Sequence, residues 1–259
     1  MSQTVARAID VVTYVSLASR SLGEVADHLG VHKSTALRLL QTLEEGGFVR
    51  RLADGRYGMG FELIALGQIA LDQVEARSIA HKELQALADK IGHTVHLGQM
   101  VGTQIIYVDK IDGRGSVAMG SRIGLTAKIH TAGVAKVIAA FQSPADRDRL
   151  IGDSAFERYT DTTLTSKEQL IEDLDKIQAR GWAEDNGEHE DYINCVALPI
   201  YDARGKVTYG LSVTALRAVA TLDQLRRDLP LFRDVAHRIS QNLGWKGHEW
   251  KSQNSLKAI

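Results

Sequence analysis

Residues 26–43 read ADHLGVHKSTALRLLQTL, and their apolar spacing predicts two helices joined at a glycine. Upstream of Gly30, Leu22, Val25, Ala26 and Leu29 fall on one side of a short helix within SLGEVADHLG. Downstream, VHKSTALRLLQTLEEG carries Ala36, Leu39, Leu40 and Leu43 as an inward face and stops at the Gly46-Gly47 pair. Ala26 is small where the two helices must cross, and Gly30 allows the tight turn between them. The outward face of the second helix then holds Lys33, Ser34, Thr35, Leu37, Arg38 and Gln41. Hydrogen-bond donors and short polar groups in that arrangement suit phosphate positioning and base-edge contacts in a major groove.

The flanks extend the reading. QTVARAIDVVTYVSL before it has Val5, Ala8, Ile9, Val12 and Val15 at helical spacing, which predicts one buried stripe. FVRRLADGRYGMG after it is a strand, a turn at Asp54-Gly55 and a second strand, with Arg50, Arg51 and Arg56 placed to meet a DNA backbone or minor groove. Residues 1–60 therefore form one small unit of three helices and a hairpin. A glycine-linked helix pair is also an ordinary packing motif; the basic hairpin directly behind it is what favours DNA.

That preference has to be local. The 259-residue chain has 31 Lys+Arg against 32 Asp+Glu, a formal net charge of -1, so no global field draws it to nucleic acid or an anionic membrane. From Val31 to Gly60, five Lys/Arg face three Asp/Glu. So modest an excess calls for two copies acting together. Cys195 is the single cysteine, which excludes an intramolecular disulfide and a Cys-rich zinc module. No apolar run approaches the ~18–20 residues of a membrane span, and the N-terminus does not resemble a signal peptide; the expectation is a cytoplasmic protein without membrane contact.

Residues 61–91 return to a helical pattern, with Leu63, Ile64, Leu66, Ile69 and Ala70 too apolar for an isolated helix, so this segment reads as a linker that pairs with a partner chain. Residues 92–245 read as an α+β domain. Strands are expected at TVHLGQM, TQIIYVDKI and SVAMGSR, and a small-residue helix at TAGVAKVIAAF. Charged helices follow from Pro144 to Arg158 and from Ser166 to Arg180. A hairpin turning at Asp202 to Gly205 and a last helix from Leu222 to about Leu243 complete it. Grouped strands favour an antiparallel layer over a βαβ wheel. Residues 246–259 read as a flexible tail.

Within the second domain, Ala132 and Gly133 open a helix behind His130-Thr131, so free backbone N–H groups there can receive a carboxylate. Alternation puts Ile193 and Cys195 on one face of a strand, and Ser212 and Thr214 on one face of its neighbour. If those faces meet, they make a concave site with an apolar wall, two hydroxyls and a thiol. Plainer readings stand beside this: Cys195 as a small buried hydrophobe, Ser212 and Thr214 as ordinary strand residues, His130 as a structural hydrogen-bonding group. Glu188, His189 and Glu190 read as a solvated acidic turn. His93 and His96 point to opposite faces of a strand and are poorly placed to share zinc; Cys195 and Asp185 with His130 or His189 form the remaining, disfavoured metal set. No nucleophile elbow, P-loop or dinucleotide fingerprint is present, so neither catalysis nor a cofactor is expected.

Four blocks in this order resemble the IclR family of bacterial transcriptional regulators. They are LGEVADHLGVHKSTALRLLQTLEEGGFVRR with GRYGMGFELIALG, TVHLGQMVGTQIIYVDKIDG, GLTAKIHTAGVAKVIAA, and RGWAEDNGEHEDYINCVALPIYDARGKVTYGLSVTA. The resemblance implies a winged helix-turn-helix domain, a linker helix and a GAF-like effector-binding domain, in homodimers or dimers of dimers (homotetramers) on palindromic double-stranded operator DNA. By matching positions it implies effector contacts at Met119, Ala127, Gly133, Val134, Asp185, Ile193, Cys195, Ser212 and Thr214, with a small organic acid or aromatic intermediate as effector. Lys128 departs from the family, standing where relatives commonly have proline; it either counters an acidic effector or points to solvent. The expected function is a ligand-responsive repressor of a catabolic operon. The alternative is a small-molecule sensor acting through protein contacts.

Overall fold

The computed structural model describes residues 2–73, 75–114 and 119–247. The chain divides into two compact units between residues 73 and 74.

The first unit contains α1 (Gln3–Leu17), α2 (Leu22–Leu29), α3 (Lys33–Glu45), β1 (Val49–Arg51), β2 (Tyr57–Met59) and α4 (Glu62–Asp72). A capping box opens α2: the Ser21 hydroxyl accepts the Glu24 N–H at 3.3 Å while the Glu24 carboxylate accepts the Ser21 N–H at 2.8 Å. Gly30 closes it in the left-handed region, at φ 61°. Val11, Val15, Val25, Ala26, Ala36, Leu40, Val49 and Tyr57 form the core. The predicted stripe on α1 is thus corrected. Val11 and Val15 face inward, while Val5 and Ile9 are 58% and 62% exposed. Ile64, Leu66 and Ile69 on α4 are exposed as well.

The second unit contains α5 (Glu75–Ile91), β3 (Thr94–Val101), β4 (Gln104–Ile111), α6 (Gly133–Ala140), α7 (Pro144–Ile151), α8 (Lys167–Arg180), β5 (Ala183–Asp185), β6 (Ile193–Tyr201), β7 (Val207–Leu216), α9 (Leu222–Arg227) and α10 (Leu229–Asn242). Its sheet has the order β4-β3-β7-β6-β5, with every pairing antiparallel. Alternation along the strands sends Val95, Leu97, Leu198 and Val213 to one face, against Leu84 and Leu87 of α5 and Phe232 and Ile239 of α10. α5, read from sequence as part of the linker, is therefore part of this core. The other face carries α6, buried along all eight residues, with α8 packed outside it. Gly98 and Gly210 lie opposite each other on β3 and β7, and a Cβ at either would stand 2.6 or 3.1 Å from Val134 or Val137. Their missing side chains let α6 settle onto the sheet.

Other boundaries differ from the sequence reading. α7 ends at Ile151 rather than Arg158, because Gly152 takes φ 46° and turns the chain away. The last helix is two, broken at Asp228, with Pro230 in the first turn of α10 where its missing N–H does no harm. β5 was not expected. In SVAMGSR, residues 119–122 form no strand and 116–118 lie outside the described residues, as does the tail from 248 to 259. Among the described residues, no helix is long and apolar enough to cross a membrane.

Candidate functional sites

The outward face of α3 exposes Lys33, Ser34, Thr35, Arg38 and Gln41. Ala36 and Leu40 are buried on its other side, so packing fixes which face is presented. Arg50 and Arg51 are exposed on β1, the Arg50 guanidinium lying 4.7 Å over the Phe61 ring. Arg56 is placed differently. It donates to the Ser19 carbonyl at 3.1 and 2.8 Å and to both Glu24 oxygens at 3.2 and 3.0 Å, so it fastens the wing to α2. The Ser21 N–H and hydroxyl, with Arg56, hold the Glu24 carboxyl down at about 2.

In the second unit the nine positions implied by resemblance line a single cavity of about 210 Å³. Its floor is the α6 side of the sheet. Asp185, Cys195 and Thr214 are successive partners across β5, β6 and β7, and Ala197, Ser212 and His96 form the next row across β6, β7 and β3. The faces carrying Cys195 and Thr214 do meet, because the β6–β7 register pairs those two residues directly. Ile193 closes the floor beside Cys195; Met119, Ala127 and Lys128 also line the cavity.

The start of α6 stands over one end of this floor. A Cβ at Gly133 would lie 3.1 Å from Cys195 Sγ and 3.5 Å from Ala197 Cβ. The N-cap, Ala132, has no side-chain cap, and the first turn begins its bonding only at Ala135 and Lys136, so among the described residues the Gly133 and Val134 N–H groups have no acceptor.

A buried ion cluster holds the wall next to Asp185. Lys136, 1% exposed on α6, donates to both Glu188 oxygens at 2.7 Å and lies 3.0 Å from Asp173. The Glu188 N–H donates to Asp185 Oδ1 at 2.6 Å. Hydroxyls of Thr160, Thr162 and Thr163 donate to the carbonyls of Gly187, Asn186 and Glu188 at 2.6, 3.0 and 2.6 Å. Glu188 is thus corrected from a solvated turn residue to a buried one, because α6 offers an ammonium beneath it. His189 and Glu190, by contrast, stand at the cavity rim.

Burial sets the protonation of the lining. It pushes Asp185 up to about 6 and Glu188 up to about 8, Lys136 countering it in part, since one ammonium faces three carboxylates. Burial also pushes the Cys195 thiol up to about 12, so it is no thiolate nucleophile. His130 takes the structural role, its Nε2–H donating to the Glu157 carbonyl at 3.1 Å outside this cavity. Lys128 reaches the Tyr159 hydroxyl, with its ammonium 4.2 Å over that ring.

Sequence reasoning missed His96, Tyr107 and Ser121 in the lining and Lys136 beneath it. A polar His96 two residues beyond Thr94 was a signal that β3 had an inward polar face. What that face met depended on a pairing with β7, more than a hundred residues away in sequence.

Residues 68–241 match the description "Bacterial transcriptional regulator IclR C-terminal", and residues 4–53 match "IclR helix-turn-helix domain". The chain is 31% identical over 247 residues to the glycerol operon regulatory protein of Streptomyces coelicolor, covering 93% of this chain and 96% of that one. Among solved structures it is similar to the Thermotoga maritima IclR at 30% identity and TM-score 0.79, over 95% and 100% of the two chains. An IclR homologue of Microbacterium hydrocarbonoxydans, complexed with 4-hydroxybenzoate, shares the fold at 18% identity and TM-score 0.79, over 93% and 99% of the two chains. With both units matched in order along nearly its whole length, the chain belongs to the IclR family and is a DNA-binding transcriptional regulator.

Proposed function

We propose that this regulator represses a catabolic operon in the cytoplasm and responds to a small organic or aromatic acid held in the 210 Å³ cavity. The observation that carries the reading is the convergence of Asp185, Cys195, Ser212 and Thr214 from three strands beneath the uncapped first turn of α6. A carboxylate there meets two free N–H groups at the positive end of a helix. The volume suits one ring or a short chain, since a cavity of ~150 Å³ already takes benzene. The lining offers hydroxyls and a protonated thiol rather than an activated nucleophile, which supports binding over catalysis. The 4-hydroxybenzoate complex of the M. hydrocarbonoxydans homologue and the glycerol operon named for the S. coelicolor relative are in keeping with it.

Lys33, Ser34, Thr35 and Arg38 of α3 face the major groove in this reading, and Arg50 and Arg51 of the wing face the backbone. Two copies read a palindrome, joined through the apolar residues left exposed on α1 and α4, among them Val5, Ile9, Ile64 and Ile69. Effector binding biases the spacing of the two recognition helices. The test is a titration of the purified protein against its own upstream promoter DNA, repeated with a panel of carboxylic and aromatic acids. Saturable binding shifted by one acid is expected. Effector binding without specific DNA binding at low salt would instead point to a sensor working through protein contacts.

A further inference from the structure

His96 is among the lining residues that sequence and resemblance leave unassigned. It is 3% exposed, and its Nε2 shares a hydrogen bond of 2.9 Å with the Ser121 hydroxyl. Ser121 is itself held, its carbonyl accepting from Lys110 Nζ at 3.0 Å. Nδ1 of His96 is buried with no hydrogen-bond partner among the described residues. Among the described residues, buried side-chain nitrogens in that condition also occur on Arg20, Arg77, Arg147 and Arg180, and of these residues His96 alone lines the cavity. Buried polar atoms left unpaired are destabilising, and the His96 ring lines the cavity beside Ser121, so a ligand oxygen that engages the His96–Ser121 pair would offer the imidazole the partner it lacks.

The sheet fixes where that partner would sit. Ala197, Ser212 and His96 form one cross-strand row, and the start of α6 stands over the Ala197 end. Two strand spacings, about 10 Å, separate the ends of that row. A ligand lying along it with its carboxylate under α6 passes over the Ser212 hydroxyl and presents its far end to the imidazole. Burial and the nearby Lys110 charge press the His96 pKa down to about 3, so the ring is neutral. A neutral ring has one donor and one acceptor nitrogen, and the Ser121 hydroxyl can complement either tautomer. Such a pair suits an uncharged oxygen and carries no charge of its own to balance a second carboxylate.

We propose that His96, oriented by Ser121, is the second polar anchor of the effector site and selects monocarboxylic acids carrying a hydroxyl or carbonyl oxygen opposite the carboxylate. This rests on the effector reading of the cavity and deepens it. The experiment is isothermal titration of the full-length protein with two matched sets: benzoate, 4-hydroxybenzoate and terephthalate, and butanoate, 4-hydroxybutanoate and succinate. In at least one set the wild type is expected to bind the hydroxy acid about tenfold tighter than the plain acid or the diacid. His96→Phe removes that preference by weakening the hydroxy acid alone, His96→Asn retains part of it, and Ser121→Ala reduces it. If His96→Phe does not fold, the Asn and Ser121 variants decide. A preference that survives all three variants, or a loss that falls equally on plain and hydroxy acids, overturns the assignment of His96. If those acids still bind, and Gly133→Val abolishes their binding, the effector reading stands without His96. No binding of any acid to the wild type overturns both.

Discussion

The Arg56 guanidinium on the wing reaches both carboxylate oxygens of Glu24 on α2, at 3.2 and 3.0 Å. A residue that the sequence places for DNA contact thereby fastens one part of the DNA-reading unit to another. Arg56→Ala and Glu24→Gln are each expected to lower the melting temperature of this unit, and the double variant to lose less than the sum of the two, as coupled partners behave. Arg51→Ala, in contrast, should weaken DNA binding and leave the melting temperature unchanged. Because the Glu24 pKa is lowered to about 2, its contribution is present above the ordinary value of 4.5 and is lost as pH falls through about 2. Thermal melts of the four proteins, with DNA titrations alongside, check this.

Arg38 stands on the exposed face of α3, away from the core that Ala36 and Leu40 make. Arg38→Ala should weaken operator binding by ~1–3 kcal/mol per copy if it reads a base edge, and flatten the salt dependence if it meets phosphate. Effector affinity measured by titration calorimetry should stay as in the wild type. Operator affinity unchanged across salt concentrations would remove Arg38 from the interface.

Gly133 has no side chain because Cys195 Sγ and Ala197 Cβ occupy the space one would need. Its φ lies outside the left-handed region, so a larger residue is opposed by packing and not by backbone strain. Gly133→Val should fill the carboxylate end of the cavity and reduce acid affinity by about tenfold or more. Operator binding without effector should persist, which a filter or mobility assay with and without acid measures.

The Lys136 cluster predicts how stability depends on pH. Folded Asp185 and Glu188 keep their protons up to about 6 and about 8, against ordinary values of 3.8 and 4.5. Between those limits the folded state binds more protons than the unfolded chain, so stability falls as pH rises. The wild-type melting temperature should therefore decline from about pH 5 to about pH 8, and Glu188→Gln should flatten the decline. Lys136→Met leaves the buried carboxyl groups without their ammonium and should cost ~3–5 kcal/mol where they are ionised, above about pH 8. A melting temperature that climbs with pH in wild type and Glu188→Gln alike would contradict the cluster's role.

Local pattern carried a large part of this protein. The helical spacing over 3–17, the Gly30 turn, the Asp54-Gly55 hairpin and the alternation in INCVALPIYD each depend on neighbours a few residues apart, and the structure forms α1, α2, α3, β1, β2 and β6 accordingly. Local pattern was weaker at ends. Nothing in the helical periodicity from Pro144 revealed that Gly152 would take φ 46°, and Pro230 marked a break that periodicity on both sides concealed.

What lies on which surface was decided only in three dimensions. Apolar spacing says that α1 has a stripe, but its packing with α2, α3 and the hairpin is what buries Val11 and Val15 and leaves Val5 and Ile9 exposed. A basic residue in a hairpin does not disclose that Glu24, 32 positions earlier, will take its charge. Lys136 is the same case in reverse: nothing local in its small-residue helix shows that the fold will bury its charge against Glu188, 52 positions later. The sequence by itself determined the elements, the recognition helix and the residue types available for a binding site, since those follow from backbone preference and short-range periodicity. Only the tertiary structure decided the register that sets His96, Ser212 and Ala197 in one row, because strand pairing across the sheet is a long-range packing choice with no local signature.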